Sequence, residues 1–296
     1  MRNLRTVFIV ACVVALTSGA GATDPPVEQV LARAATYVQQ FERDFALVIS
    51  DEDYRQEESF DSDRVVDPND LLRPYRMQRR VDLRAEMLFL WLQQDHSWMS
   101  VRSPLKVGGE SIADSKNRLE RVLSDQSPGQ LARLQQLAKE SIRFNLGFYR
   151  DNNSPTLALQ FLDPEFQPRF EFAVAGRERV NSIDAVRLTF RERQQPTVMQ
   201  SDGDDVFSTG SLWIAIDDAV VVRTLLAWKV PAGRSRPSVS GSVLVDYRRD
   251  PQLAMWVPGK MEEQFRQLGG INDALHCTAT YSRFRRFERS VRSSGR

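Results

Sequence analysis

The apolar positions change period along the chain, and each period predicts a different element. After Asp24-Pro25, which has the form of an N-cap followed by a first-turn proline, Val27, Val30, Leu31, Ala34, Val38, Phe41 and Phe45 recur at three- and four-residue steps. That spacing lays a single apolar stripe along a helix. Residues 46–56 turn extended, and 57–76, with its repeated Asp and Pro, reads as a long mobile loop. A strand is predicted over 79–94. At its centre, Met87-Leu88-Phe89-Leu90-Trp91-Leu92 is apolar on both alternating faces, so both faces need cover. The first helix can supply one side, and a second layer must supply the other. Residues 98–107 read as the partner strand, closed by the tight turn Gly108-Gly109.

Ser127-Pro128-Gly129-Gln130 has the form of a capping box, launching a helix with the stripe Leu131, Leu134, Ala138 and Ile142. Residues 155–162 fit either a short helix or a strand. From Arg169 onward the chain reads as an antiparallel meander with strands near 169–175, 185–193, 211–216, 220–230, 240–248, 260–268 and 275–287. Turn signals such as Gly176-Arg177, Asp217-Asp218 and Asp250-Pro251 separate them. The predicted fold class is α+β: a curved antiparallel sheet, an incomplete barrel, packed on or closed by a few helices. One domain is expected over 23–289, with a frayed polar tail over 290–296.

Composition changes the picture mainly at the N-terminus. Arg2 and Arg5 precede an unbroken apolar run over 7–16, and Ala20-Gly21-Ala22 forms an A-x-A site, together a cleavable export signal over 1–22. The run is too short to span a bilayer, and no later stretch is long enough, so the mature protein is expected to be soluble, without a transmembrane segment, and periplasmic or secreted. Removing Arg2 and Arg5 leaves 38 basic residues against 39 acidic ones, a net charge of −1. That balance does not direct the protein to nucleic acid or to an anionic membrane. Cys12 leaves with the signal and Cys277 remains alone, so the fold must rest on packing rather than an internal disulfide. Cys277, within a strand-like run, reads as an inert buried thiol.

The short motifs do not assemble a catalytic set. Asp95-His96-Ser97 falls in a turn, where neighbouring side chains diverge, and His276-Cys277 lies on a strand, where they face opposite sides. Gly109-Glu110-Ser111-Ile112-Ala113 approximates a nucleophile elbow without the strand–helix context it needs, and Ser103-Pro104-Leu105-Lys106 lacks its companion motifs. Asp202, Asp204 and Asp205 do not continue into an EF-hand, whose bidentate Glu position is Trp213. No zinc spacing, P-loop or dinucleotide fingerprint is present. The aromatic and basic run 281–287 reads as a final strand whose arginines pair with neighbouring acids.

Three stretches of the second half are familiar as a succession: Gly210-Ser211-Leu212-Trp213-Ile214 with Val221-Val222-Arg223-Thr224; Asp246-Tyr247-Arg248 through Trp256-Val257-Pro258 to Met261-Glu262-Glu263; and Ala279-Thr280-Tyr281-Ser282-Arg283-Phe284. Together they resemble exported bacterial proteins of unassigned function related to the outer-membrane lipoprotein-sorting (LolA-like) proteins. The resemblance covers roughly the last third of the chain. It implies an incomplete barrel closed by helices over an apolar cavity that takes lipids or lipoprotein acyl chains, without catalytic residues. The expectation is therefore a non-enzymatic envelope protein, cofactor-free and metal-free, whose partner is a lipid or an acylated protein. Phe89, Trp91 and Trp213 are the expected lining of an apolar groove. The alternatives are an envelope scaffold with a filled core and, third, a hydrolase using Ser111 or His276.

Overall fold

The computed structural model describes residues 24–288 except 68–69, 126, 148–149, 151–153, 202, 234–236 and 269–271; the expected export signal (1–22) and the expected polar tail (290–296) lie outside the described residues. Helix α1 (Val27–Phe45) is followed by β1 (Val48–Asp67), β2 (Asp70–Leu92), β3 (Ser97–Val107) and the short β4 (Glu110–Ser111). Two helices, α2 (Arg118–Ser124) and α3 (Gln130–Ile142), and two 3₁₀ helices (Leu157–Leu162 and Gln167–Arg169) come next. The meander comprises β5 (Phe170–Val180), β6 (Ile183–Glu192), β7 (Met199–Ser201), β8 (Asp204–Val206), β9 (Ser208–Ala215), β10 (Val221–Val230), β11 (Ser238–Asp250), β12 (Met255–Leu268) and β13 (Asn272–Arg286).

Eleven strands form one antiparallel sheet in the order β4-β3-β2-β1-β13-β12-β11-β10-β9-β6-β5, and β7 pairs with β8 apart from it. The sheet does not close, because β4 and β5 remain its edges. The α+β class and the incomplete barrel follow directly. The last strand, β13, pairs with the first, β1, so the two halves of the chain share one sheet.

The doubly apolar centre of β2 finds the two layers it requires. Met87 and Phe89 join the core with α1, whereas Leu88 joins Ile49, Val101, Leu119, Leu123, Leu134 and Leu137 in a second cluster under α2 and α3. On the first side Phe45 stacks at 4.7 Å on Phe41 and at 4.8 Å on Phe89, with Trp98 edge-on at 6.0 Å. Further along, Phe161 of the first 3₁₀ helix stacks at 4.6 Å on Phe170 and meets Phe190 edge-on. Tyr247 donates to the Pro155 carbonyl at 2.6 Å, pinning that helix to the sheet.

Four local expectations are corrected. Residues 57–76 are not a loop: the backbone of β1 and β2 runs through them as one long hairpin, paired as far as Asp67 with Asp70. Gly176-Arg177 is not a turn but a bulge within β5, Gly176 at φ +118° shifting the register against Arg187. The turn falls at Asn181-Ser182 instead. The capping box does not form: Gly129 precedes α3 without a side-chain cap, and Ser127 Oγ accepts from Arg133. Gln130 Nε2 instead donates to the Val122, Leu123 and Asp125 carbonyls, joining α2 to α3. Asp24 does not cap α1, which begins after Pro26. Residues 155–162, open in sequence, contain the 3₁₀ helix Leu157–Leu162.

Candidate ligand-binding hollow

Alternate residues of β1 point toward the helical side, and they are unusual for a buried strand face. Ser50, Glu52, Tyr54, Gln56 and Glu58 are all buried, while Asp53, Arg55, Glu57 and Ser59 between them are exposed. Buried charges persist only when paired, and the partners come from distant parts of the chain. Arg102 of β3 grips Glu52 with two hydrogen bonds of 2.5 and 2.8 Å, its guanidinium 4.2 Å from the Tyr54 ring. Burial alone would lower the Arg102 pKa, but the Glu52 carboxylate outweighs it and holds the guanidinium above its ordinary value. Tyr54 donates to Glu263 Oε2 of β12 at 2.6 Å. Burial raises the pKa of Glu263 despite the nearby Arg150 and Arg102 charges.

Arg150 and Gln56 close this polar belt. Arg150 donates to Gln56 Oε1 at 2.7 Å and to the Leu146 carbonyl at 2.6 Å. Gln56 Nε2 donates to the Phe144 carbonyl at 2.8 Å, and its oxygen also accepts from the Leu146 amide at 2.9 Å. The chain following α3 is thereby hydrogen-bonded to the middle of β1.

Beyond the belt no described helix covers the sheet, which borders an open hollow of about 1110 Å³. Its lining comes from β1, β2, β10, β11, β12 and β13, with no helix residue. Trp228, Phe265 and Leu275 supply an apolar floor, and Glu58, Arg79 and His276 supply polar groups around it. Trp228 meets Phe265 edge-on at 6.0 Å. The indole lies so close to Gly241 that a Cβ there would come within 2.5 Å of it, so only glycine leaves Trp228 its place. Arg79 donates to Glu58 at 2.7 Å. A second cavity of about 400 Å³ lies between β3 and α3, lined by Met87, Trp98, Arg102, Ala138, Arg150 and Leu157 among others. The Arg150 guanidinium, which lines the smaller cavity, is 5.2 Å from the centroid of Phe265, which lines the larger.

None of the three aromatic residues expected to line an apolar groove is among those around this hollow. Phe89 is fully buried between Phe45 and Tyr281. Trp91 packs at 5.2 Å on Trp98 and edge-on to His96. Trp213 lies on the other face from Leu212 and Ile214, beside Val180, Ala185 and Val222, and its Nε1 donates to Glu178 at 2.7 Å. The residues that do line the hollow had one sequence signal, the apolar–polar alternation of β10, β12 and β13. Alternation names a face without saying whether helices cover it.

The residues of the short motifs are also placed. Ser111 is exposed at the sheet edge, paired in register with Lys106. Cys277 is fully buried, and burial pushes its thiol up to about 12, in keeping with an inert role at neutral pH. Arg283 pairs with Asp51, and Arg285 pairs with Glu86, as expected of the final strand. No described helix is long and apolar enough to cross a membrane.

No protein-family model matches the chain, and no curated protein does. Among solved structures the chain is similar to a DUF1329 family protein from Desulfovibrio piger, at 13% identity and a TM-score of 0.34, over 92% of this chain and 96% of that one. It is also similar to a LolA superfamily protein from Nitrosomonas europaea, at 8% identity and a TM-score of 0.32, over 90% and 95% of the two chains. At these identities and overlaps the likenesses assign neither a family nor an activity to the chain.

Proposed function

We propose that this chain is an exported, non-enzymatic protein that binds an apolar ligand, a lipid or the acyl chain of a lipoprotein, in the hollow at the uncovered end of its sheet. The observation that carries the reading is the hollow itself: a floor of Trp228, Phe265 and Leu275 within a rim of charged groups. Its volume exceeds the range of about 300–1,000 Å³ usual for small-molecule sites. An apolar floor and a charged rim complement a molecule with an apolar tail and a polar head. At about 0.8 kcal/mol per buried methylene, eight methylenes on the floor would contribute about 6 kcal/mol before the cost of association.

Native mass spectrometry of the purified mature chain, with titration of a fluorescent fatty acid, tests this. Bound lipid or saturable probe binding is expected, and Trp228→Glu should weaken the probe at least tenfold by placing a charge on the floor. A chain that carries no lipid and leaves the probe unbound would sink the reading.

One observation favours the scaffold reading instead: beneath α1 the rings of Phe41, Phe45, Phe89 and Trp98 fill the space a ligand would need. Crosslinking in cells that traps one defined protein partner, with an empty hollow, would decide for it.

A further inference from the structure

At the far side of the molecule from the hollow's strand ends, three groups from two separate segments converge. His96 sits in the β2–β3 turn, Asp163 directly follows the 3₁₀ helix Leu157–Leu162, and Glu165 stands two residues beyond it. Each offers one ligand atom, and the three atoms lie within 4.8 Å of one another. His96 Nδ1 is 3.1 Å from Glu165 Oε2, and the Glu165 amide donates to Asp163 Oδ1 at 2.8 Å. Asp163 is buried, whereas His96 and Glu165 open to solvent, so the group has a closed side and an open one.

A second observation points into the same place. Glu42 lies on α1, which packs against the 3₁₀ helix that Asp163 follows. It is only 6% exposed, and its Oε1 is buried without a hydrogen-bond partner among the described residues. Burial first, and the Asp163 charge second, raise its pKa to about 8, while Arg43 opposes the rise. A buried carboxyl oxygen without a hydrogen-bond partner is costly, and Glu42 lies near enough to Asp163 to feel its charge. A cation is the simplest group that satisfies both.

We propose that His96, Asp163 and Glu165, backed by Glu42, form a binding site for a divalent first-row transition cation of the zinc type. The chemistry of the donors selects the class. An imidazole nitrogen favours transition ions over magnesium or calcium, whereas the carboxylates suit a borderline ion such as Zn²⁺. Bonds of about 2.0–2.2 Å from each donor to a central ion place the donors about 3–4 Å apart, so His96, Asp163 and Glu165, already within 4.8 Å of one another, need only small rotations. The cation would tie the β2–β3 turn, α1 and the segment after the 3₁₀ helix together at one corner. Solvent would fill the open position.

The test uses the untagged mature chain, stripped with a chelator and titrated with ZnCl₂ by calorimetry, with the thermal midpoint as a second readout. One equivalent of Zn²⁺ is expected, with a raised midpoint that chelator reverses. His96→Ala and Glu165→Gln alter exposed side chains, so both should fold with an unchanged circular dichroism spectrum, and each should weaken Zn²⁺ at least tenfold. Glu42→Gln should weaken it too. Absence of a stoichiometric site, or affinity that survives both His96→Ala and Glu165→Gln, overturns the proposal.

Discussion

The two ends of the β1–β2–β13–β12 face differ in what fills the concave side. Under α1, inward positions are large and apolar, and Phe45, Phe89, Tyr281 and Phe284 pack ring against ring. Past Tyr54 the same strand turns inward with Gln56 and Glu58, the helix ends, and a hollow remains. The polar belt of Glu52, Arg102, Tyr54, Glu263, Gln56 and Arg150 is the border between them. The contrast teaches that one continuous sheet can carry a shut core and an open site, divided by a band of paired charges. Hydrogen bonds can satisfy such a band without filling the space beside it.

Four substitutions break or sharpen this contrast. Phe45→Ala, in the filled half, removes a fully buried ring touching Phe41, Phe89 and Trp98. It should cost about 4 kcal/mol in urea-induced unfolding, because packed rings cannot collapse into the space. A cost under about 1 kcal/mol would mean that the filled half is loosely packed. Arg102→Met strikes the border, leaving Glu52 buried without its partner, and should cost about 3 kcal/mol. Adding Glu52→Leu should recover most of that loss, since two apolar groups replace a pair; failure to recover would show that the belt holds the strands in register. Trp228→Ala, on the floor of the hollow, should cost only about 1 kcal/mol in the same measurement, because the half-buried indole already borders empty space. A cost equal to that of Phe45→Ala would refute the hollow.

Much of this contrast was legible in particular residues. The stripe from Val30 to Phe45 names the buried face of α1, and Met87–Leu92 demands cover on two sides, which α1 and the α2–α3 pair provide. Strands of the second half follow from alternation, within a few residues at their ends. The β1 extension was hidden because Ser50, Glu52, Gln56 and Glu58, inward on the strand that leads into it, are polar, so no apolar period runs on from residues 46–56. Trp213 looked like groove lining because an aromatic residue in an alternating run does not say which of two faces is concave. His96, Asp163 and Glu165 had no spacing signal, since the turn and the 3₁₀ helix that bring them together are far apart in the chain.

By itself the sequence determined which segments alternate, which coil, and that a packed core rather than sulfur bridges must hold them, because side-chain periodicity is a local property of the backbone. The tertiary structure alone decided where charge could be buried. The buried carboxylates Glu52 and Glu58 of β1 are tolerable because Arg102 of β3 and Arg79 of β2 reach them from other strands, and Coulomb pairing depends on distance in space and not along the chain.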